Sequence, residues 1–460
     1  MTAVETWARL GYLTAAVCFV LGLHLMNSPA TAKRGNRLSA AGMALAFVAT
    51  VVVLSGVRTV TTGGVLALAG GTLVGAGAGL VSARRVAMTA MPQLVSLFNA
   101  AGGGAAALIA VSDITTSPIA AAVSVAVGTV TFSGSLIASG KLQGVVTGQP
   151  LVFPGARVLT VLLATVLVVS GGVLATGHGG VPVLIVTGVA GLAFGVTMVL
   201  PIGGADMPVV ISLLNALTGT AVAMAGFVIG NSALVIAGAL VGASGTILTK
   251  LMADAMNRPV RHILIGGFGT DSAVAAVGAG GPGAVRELSI EDAAIQLAYA
   301  RKVVIVPGYG LAAAQAQHAV RELASLLTAR GVEVTYAIHP VAGRMPGHMN
   351  VLLAEADVPY DEMEDLEEAN PGFARADVAL VVGANDVTNP AARRPGNAVS
   401  GMPILDVDRA ERVIVVKRSM GHGYAGIDNE LYYDSRTGMV FADAKSGLMA
   451  MTSAVKTLVA

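Results

Sequence analysis

The stretch Lys302–Ala313 reads KVVIVPGYGLAA, and it joins an apolar, β-branched run to a turn with two glycines. The run Lys302–Val306 is typical of a buried strand. Gly308, Gly310 and Ala313 follow at the spacing of the dinucleotide fingerprint in its alanine variant, in which the glycines permit a tight turn and close approach of a pyrophosphate. Because the motif follows a strand and opens a helix, it predicts a nucleotide site; the alternative is an ordinary glycine turn.

The residues around this turn alternate between helical and strand patterns. A helix is predicted from the turn to about Ala329, where Gly331 ends it, and Ser289 is the predicted cap of an earlier short helix that runs through Tyr299. Three more apolar runs predict strands, at 332–338, 377–382 and 412–416. This alternation predicts a soluble α/β Rossmann-like domain with a parallel sheet and helices on both faces.

The residues that follow two of these strands indicate which dinucleotide is bound. An NAD site normally places Asp or Glu after the second strand to hold the ribose 2′-hydroxyl, but His339–Arg344 contains no acid. Lys417, Arg418 and Ser419 follow the last predicted strand, and two cations with a hydroxyl suit a phosphate dianion. The sequence therefore predicts NADP(H), and the alternative for these three residues is a solvated basic turn.

The first half of the chain is apolar. Of the whole sequence 54% is hydrophobic and only 12% is charged, whereas a soluble globular chain is about a quarter charged. A membrane helix needs about 20 mostly apolar residues. Segments of that kind predict an all-α polytopic membrane domain of nine helices, at 7–26, 38–56, 63–81, 87–111, 118–139, 156–175, 181–200, 207–229 and 231–251.

Basic residues in the connecting loops predict the orientation. The loops after odd-numbered segments contain Lys33, Arg34, Arg37, Arg84, Arg85, Lys141 and Arg157. The loops after even-numbered segments contain only Arg58. Because lysine and arginine accumulate on the cytoplasmic side, we expect the N-terminus outside and everything after Lys250 in the cytoplasm. The expected domains are a transmembrane domain (1–255), a glycine-rich linker (256–284) and an NADP(H) domain (285–460).

Composition also excludes several classes of protein. A net charge of +1 gives no electrostatic reason to expect nucleic acid binding. Cys18 is the single cysteine, so a disulfide framework and a multi-cysteine metal site are excluded, and no metal is expected. Glu5, rather than a basic cluster, precedes the first apolar segment, so no cleavable signal peptide is predicted.

Polar residues within the predicted spans are candidates for function, because polar groups at membrane depth are costly. Asn99 and Asn215 lie mid-span, and their alternative role is an interhelical hydrogen bond that holds the bundle together. Asp206 lies at a cytoplasmic helix start, where the alternative is a helix cap. Glycines at 71, 75 and 79, at 191 and 195, and at 238 and 242 predict tight helix packing. No span has an acid at its middle, so an ion path would need Asn, Ser, Thr and water, or a partner chain.

Longer strings resemble one family closely, the proton-translocating NAD(P) transhydrogenases, and within it the beta subunit. The resemblance covers essentially the whole chain. The matching strings are Gly204–Pro208, Ala255–Arg258, Val306–Gly310, Ala314–Gln317, His339–Asn350, Gly383–Asp386, Asn389–Ala392, Lys417–Met420 and Gly423–Gly426.

The resemblance implies roles for particular residues. Lys417, Arg418 and Ser419 would hold the 2′-phosphate, while Asp386 and Tyr424 would sit in two mobile loops that close over NADP(H). The full set expected to bind the cofactor is Gly308, Tyr309, Gly310, Ala313, Arg344, Met345, Pro346, Gly347, Gly383, Ala384, Asn385, Asp386, Lys417, Arg418, Ser419, Gly423, Tyr424 and Ala425.

The resemblance also implies a proton path. Asn215 and Asp206 match positions that the family ties to proton coupling. Some family members have a protonatable His where this chain has Asn99, and an asparagine cannot titrate. The proton carrier would then be a His on another span, either His24 or a His of a separate membrane subunit, and the sequence leaves both open.

As a whole, the resemblance implies hydride transfer between NADH and NADP+ coupled to proton movement across a bacterial inner membrane. The cofactors carry that chemistry, so no catalytic triad is needed. Since the sequence shows one dinucleotide site, the NAD(H) site is expected on an alpha subunit that adds membrane helices, with a homodimer of the alpha–beta unit in the lipid. Two rivals stay open: a transporter gated by an NADPH-sensing domain, and an NADP-dependent membrane dehydrogenase with its own substrate.

Overall fold

The computed structural model describes residues 3–56, 61–148, 150–178, 180–203, 206–256, 260, 285–345, 347–397, 399–423 and 425–458. The chain divides into two compact units. One is helical and comprises Met1–Gly203 with Val209–Thr249; the other comprises Gly204–Pro208 with Lys250–Ala460 and contains a β-sheet. Most of the predicted linker, together with Pro346 and Tyr424, lies outside the described residues.

Within the described residues, nine helices are long and apolar enough to cross a membrane, which confirms the predicted spans and fits a multi-pass membrane protein. Helix α2 begins before the predicted apolar start because the basic segment Lys33–Arg37 continues the helix. Helix α4 begins later than predicted because Met88–Ala90 forms a 3₁₀ turn. The helices are α1 (Ala3–Leu25), α2 (Pro29–Gly56), α3 (Thr62–Arg85), α4 (Met91–Ser112), α5 (Pro118–Gln143), α6 (Ala156–Ala175), α7 (Gly180–Val199), α8 (Met207–Val228) and α9 (Ser232–Ala255).

Glycines allow some of these helices to approach closely. A Cβ added at Gly195 would lie 2.4 Å from the Val130 carbonyl oxygen on α5, and one added at Gly238 would lie 2.4 Å from the Ala223 nitrogen on α8. The predicted tight packing is thus confirmed for the glycine pairs on α7 and α9. On α3 it is not seen, because no described atom lies within 4 Å of a Cβ added at 71, 75 or 79.

The second unit carries a six-stranded parallel sheet in the order β3-β2-β1-β4-β5-β6, which is the order of doubly wound dinucleotide-binding sheets and confirms the predicted α/β domain. The strands are β1 (Lys302–Pro307), β2 (Glu333–Ala337), β3 (Met363–Glu364), β4 (Val378–Val382), β5 (Arg412–Lys417) and β6 (Thr437–Phe441). The helices of this unit are α10 (Ile290–Ala298), α11 (Tyr309–Ala313), α12 (Gln317–Thr328), α13 (His348–Glu355), α14 (Leu366–Phe373) and α15 (Ala444–Thr457).

The helix predicted from the glycine turn to Ala329 is interrupted, which corrects the sequence prediction. It ends after Ala313 in a Schellman motif, in which the N–H of Ala316 donates to the Leu311 carbonyl. Gln315 takes the left-handed position of that motif with φ 49°, a place usually held by glycine. A run of Ala and Gln contains no stop signal, so the pattern could not show the break. Gly331, at φ 84°, does end the second helix as predicted.

The centre of the sheet is where the chain reverses its winding direction, between β1 and β4. Pro307 and Val382 are aligned at the ends of these strands. The turns that follow pack backbone against backbone: Gly308 N donates to the Val382 carbonyl, and Gly310 N donates to the Gly383 carbonyl, each at 2.9 Å. A Cβ at Gly308 would lie 2.3 Å from the Ala384 Cα. These glycines therefore have a partner that the sequence did not indicate, the neighbouring turn.

Replacing Gly383 with alanine should destabilise the sheet domain more than replacing Gly331. Both glycines have a left-handed φ, of 68° and 84°, which costs an alanine roughly 1–2 kcal/mol. Only at Gly383 would the Cβ collide with backbone, 2.4 Å from the Gly310 Cα, while at Gly331 nothing lies within 4 Å. We expect Gly383→Ala to lose about 2 kcal/mol more than Gly331→Ala, measured by urea unfolding of residues 285–460. Equal losses would contradict the close packing of the two turns.

Candidate functional site

A cavity of about 540 Å³ opens at the carboxyl ends of the central strands. In a doubly wound sheet this edge, at the point of reversal, is where ligands bind. The predicted binding residues that line the cavity are Gly308, Tyr309, Gly310, Ala313, Gly383, Ala384, Asn385, Asp386, Lys417, Arg418, Ser419 and Gly423. The structure therefore brings together residues that are more than 100 positions apart in the sequence, such as Gly308 and Lys417.

Some predicted residues do not line the cavity, and some lining residues were not predicted. Arg344, Met345, Gly347 and Ala425 are not among the lining residues. The residues that sequence reasoning missed are Ala314, Val341, Ala342, Gly343, Val387, Val416, Gly421, His422, Ala442, Asp443 and Ala444. The loop after β2 could have been found from its place at a strand end. Ala442–Ala444 had no such signal because β6 was not predicted.

Tyr309 and Arg344 form a stacked pair next to the cavity. The Arg344 guanidinium carbon lies 4.2 Å from the centroid of the Tyr309 ring, a cation–π geometry. The Arg344 backbone N–H donates to Nδ1 of buried His348 at 3.0 Å. Burial lowers the pKa of His348, and the Arg344 charge adds to that effect. Arg344 is thus held beside the mouth through Tyr309 although it does not line the wall.

Asp386 joins the two loops that cover the cavity. Its Oδ2 accepts a hydrogen bond from the Ala425 backbone N–H at 3.0 Å. A Cβ at Gly423 would lie 2.3 Å from Asp386 Oδ1, so a side chain at that position would displace the Asp386 carboxylate. Farther along the same loops, Asn389 Nδ2 donates to the Asp428 carbonyl and Asn429 Nδ2 donates to the Asn385 carbonyl, each at 2.9 Å. These contacts hold segments 385–389 and 425–429 together beside the cavity.

Lys417 supplies a partly buried positive charge at the end of β5. Its Nζ donates to the Gly421 carbonyl and lies 4.6 Å from the centroid of the Tyr432 ring. Burial lowers the pKa of Lys417, while the carboxylates of Asp386 and Asp428 act in the opposite direction. The neighbouring side chains of Arg418 and Ser419 are exposed. Two cations and a hydroxyl at the mouth of the cavity can hold a phosphate.

The helical unit contains a second candidate region, a buried polar face of α4. Ser96 Oγ donates to the Ser135 carbonyl of α5 at 2.8 Å, and Asn99 Nδ2 donates to the Ile211 carbonyl of α8 at 3.4 Å. Thr218 Oγ1 in turn donates to the Asn99 carbonyl at 3.4 Å. Asn99 therefore makes interhelical hydrogen bonds, as expected if it holds the helix bundle together. Its part in a proton path stays a prediction.

The other predicted proton-path residues are placed differently. Asn215 is half-buried and lies on α8 between Ile211 and Thr218, on the face that meets Asn99. Asp206 is half-buried and directly precedes α8. His24 is exposed in the last turn of α1. The structure thus brings Asn99 close to the face of α8 that carries Asn215.

Lowering the pH should weaken the sheet domain through His339. This buried side chain hydrogen-bonds through Nε2 to the Pro403 carbonyl at 2.7 Å and accepts from the Val341 N–H through Nδ1, and burial lowers its pKa to about 4. Between pH 6.5 and 4 the unfolded chain binds a proton that the native state does not, so stability falls by about 1.4 kcal/mol per pH unit.

We expect His339→Gln, which can still donate to Pro403, to remove about 2 kcal/mol of the loss seen between pH 6.5 and 5. His348 remains in both proteins and contributes its own share in the same direction. The measurement is the free energy of urea unfolding of residues 285–460 at several pH values. An unchanged pH dependence in His339→Gln would show that His339 is not neutral in the native state.

Comparison with known proteins shows the family. A family model described as "NAD(P) transhydrogenase beta subunit" matches residues 8–454. Two curated relatives from Rhodospirillum rubrum, both named "NAD(P) transhydrogenase subunit beta", are each 49% identical to this chain in an alignment of 451 residues that covers 94% of the chain and 96% of the relative. From this match and the fold, the chain belongs to the NAD(P) transhydrogenase beta subunit family.

Proposed function

We propose that the chain binds NADP(H) in the cavity at the end of its parallel sheet and exchanges hydride with NAD(H) held by an alpha subunit, while protons cross the membrane. Membership in the family implies an alpha-subunit partner and the use of nicotinamide nucleotides. The observation that carries the choice of NADP(H) is the placement of Lys417, Arg418 and Ser419 at the mouth of the dinucleotide cavity.

The residues present fit a phosphorylated dinucleotide. Gly308, Gly310 and Gly383 line the cavity without side chains, which leaves space for an extended ligand. The N–H groups of Gly308 and Gly310 already donate to β4 and the turn after it. Anion binding would therefore depend on Lys417–Ser419 more than on the glycine turn. No acid follows β2, where NAD sites normally place one.

The bound nicotinamides would supply the hydride donor and acceptor. The contribution of this chain is then proximity and orientation, with the loop segments 385–389 and 425–429 enclosing the nucleotide. Tyr309 with Arg344, and Lys417 beside Tyr432, would fix its ends. A second dinucleotide has to approach from another polypeptide, which is the role we assign to the alpha subunit, in an assembly with two copies of each chain.

Proton movement would use the helical unit. The loop bias predicts an outside N-terminus and a cytoplasmic nucleotide domain in a bacterial inner membrane. Asn99, Asn215 and Asp206 are the residues of this chain that we assign to the proton path, with hydroxyls such as Ser96 beside them. Because asparagine does not titrate, the carrier itself is His24 or a group of the alpha subunit.

Replacing Arg418 with alanine should weaken NADPH binding and leave NADH binding unchanged. A charge-assisted bond to phosphate contributes about 1.5–3 kcal/mol, so we expect a roughly 10- to 100-fold rise in the NADPH dissociation constant. Arg375→Ala is the matched control, because Arg375 is also exposed in the sheet unit but does not line the cavity. Isothermal titration of the full-length chain measures both ligands. Equal weakening for NADPH and NADH would remove Arg418 from 2′-phosphate recognition.

A further inference from the structure

The last turn of α5 contains a lysine that is buried rather than extended into the membrane surface. Lys141 is 5% exposed. Its Nζ donates to the carbonyls of Leu200 and Ile202, at 2.5 and 2.8 Å. These carbonyls lie in the turn that directly follows α7, where a helix leaves backbone oxygens without helical partners. A lysine at the end of a span normally reaches out to the interface, so this inward arrangement calls for a specific role.

The same end of α5 also hydrogen-bonds to Gln93, the first residue of the polar face of α4. Gln93 Nε2 donates to the Leu142 carbonyl at 3.2 Å, and Ser139 Oγ donates to the Gln93 carbonyl at 3.3 Å. Gln93, buried, is followed at spacings of three residues by Ser96 and Asn99. The end of α5 therefore joins the polar face of α4 on one side and the turn after α7 on the other.

The turn after α7, Leu200–Ile202, accepts hydrogen bonds from more than one residue outside α7. A second bond to this turn is a neutral one, from the Leu151 N–H to the Leu200 carbonyl at 3.1 Å. Hydrogen bonds from an ammonium are roughly twice as strong as neutral ones. Lys141 is therefore the stronger of these two constraints on the turn, and it is the one that links the turn to α5.

We propose that Lys141 is a positioning residue for proton coupling: its ammonium holds the turn Leu200–Ile202 in register with the polar face of α4. This inference rests on the proposed function, because it places Lys141 in the proton-moving part of the enzyme. Lys141 takes no part in nucleotide binding or hydride transfer. An arginine would keep the charge and the donors, whereas a methionine of similar length would release the turn.

The experiment compares Lys141→Met and Lys141→Arg with Lys250→Met, whose lysine is exposed near the end of α9. The full chain with its alpha subunit is reconstituted in phosphatidylethanolamine–phosphatidylglycerol liposomes, and protons moved per hydride are measured with an internal pH dye. For Lys141→Met we expect this ratio to fall at least about fivefold, while hydride transfer in detergent stays within about twofold. Lys141→Arg should retain more than about half of the ratio, and Lys250→Met should keep all of it.

The possible outcomes distinguish a failure of the proposed function from a failure of the role of Lys141. Wild-type protein that transfers no hydride with its partner overturns the proposed function and the role of Lys141 with it. Active wild type with a normal ratio in Lys141→Met overturns the role of Lys141 alone. If Lys141→Met does not accumulate, amine acylation of the wild type tests whether the Lys141 ammonium is held in the turn. Because a buried amine reacts only when the site opens, Lys141 should react at least about tenfold more slowly than Lys250. Equal reaction rates would contradict the hydrogen bonds from Lys141 to the turn and overturn the proposal.

Discussion

Backbone-to-backbone packing between the turn after β1 and the turn after β4 is the constraint on which the nucleotide cavity depends. Three glycines, Gly308, Gly310 and Gly383, let these turns hydrogen-bond directly, with N···O distances of 2.9 Å between Gly308 and Val382 and between Gly310 and Gly383. No side chain could stand between them. The floor of the cavity is therefore rigid backbone, and recognition is left to side chains on the surrounding loops. That division explains why the charged residues cluster after β5, far in sequence from the glycines.

In the helical unit the main constraint is that buried polar side chains need hydrogen-bond partners. Polar side chains in an apolar bundle need partners, and here the partners are carbonyl oxygens of neighbouring helices. Ser96, Asn99 and Thr218 each bond across to another helix, and Lys141, at the end of α5, bonds to the turn after α7. Such contacts join α4, α5, α7 and α8 through polar bonds as well as through packing. A proton arriving among them would change the free energies of these bonds, which is what coupling requires.

Much of the fold could be predicted from the sequence because its signals are strong and local. Long apolar runs predict the nine spans, and apolar β-branched runs predict β1, β2, β4 and β5. The rest depends on tertiary contacts. Strand β3 has two residues, β6 contains Gly438, and Gln315 occupies a left-handed position without a glycine to announce it.

The candidate site was predictable to a similar degree and for similar reasons. Strand-end reasoning and the family strings found the residues after β1, β4 and β5, but not Ala442–Ala444 after the unpredicted β6. The stacking of Arg344 on Tyr309 and the inward turn of Lys141 involve residues far apart in the chain. Periodicity cannot show such pairs. The fifth predicted segment ended at residue 139 and so left Lys141 in a loop, where a lysine is expected to contact water.

Hydride exchange between nucleotide bound to this chain and nucleotide on a second polypeptide is the step on which the proposed function depends. It is tested most directly by incubating the full chain and its alpha subunit with NADP+ and NADH that carries deuterium at the transferable C4 position. We expect deuterated NADPH when both polypeptides are present and none when either polypeptide is present alone. Tight binding of NADP+ by the chain without any deuterium transfer in the complete mixture would contradict it.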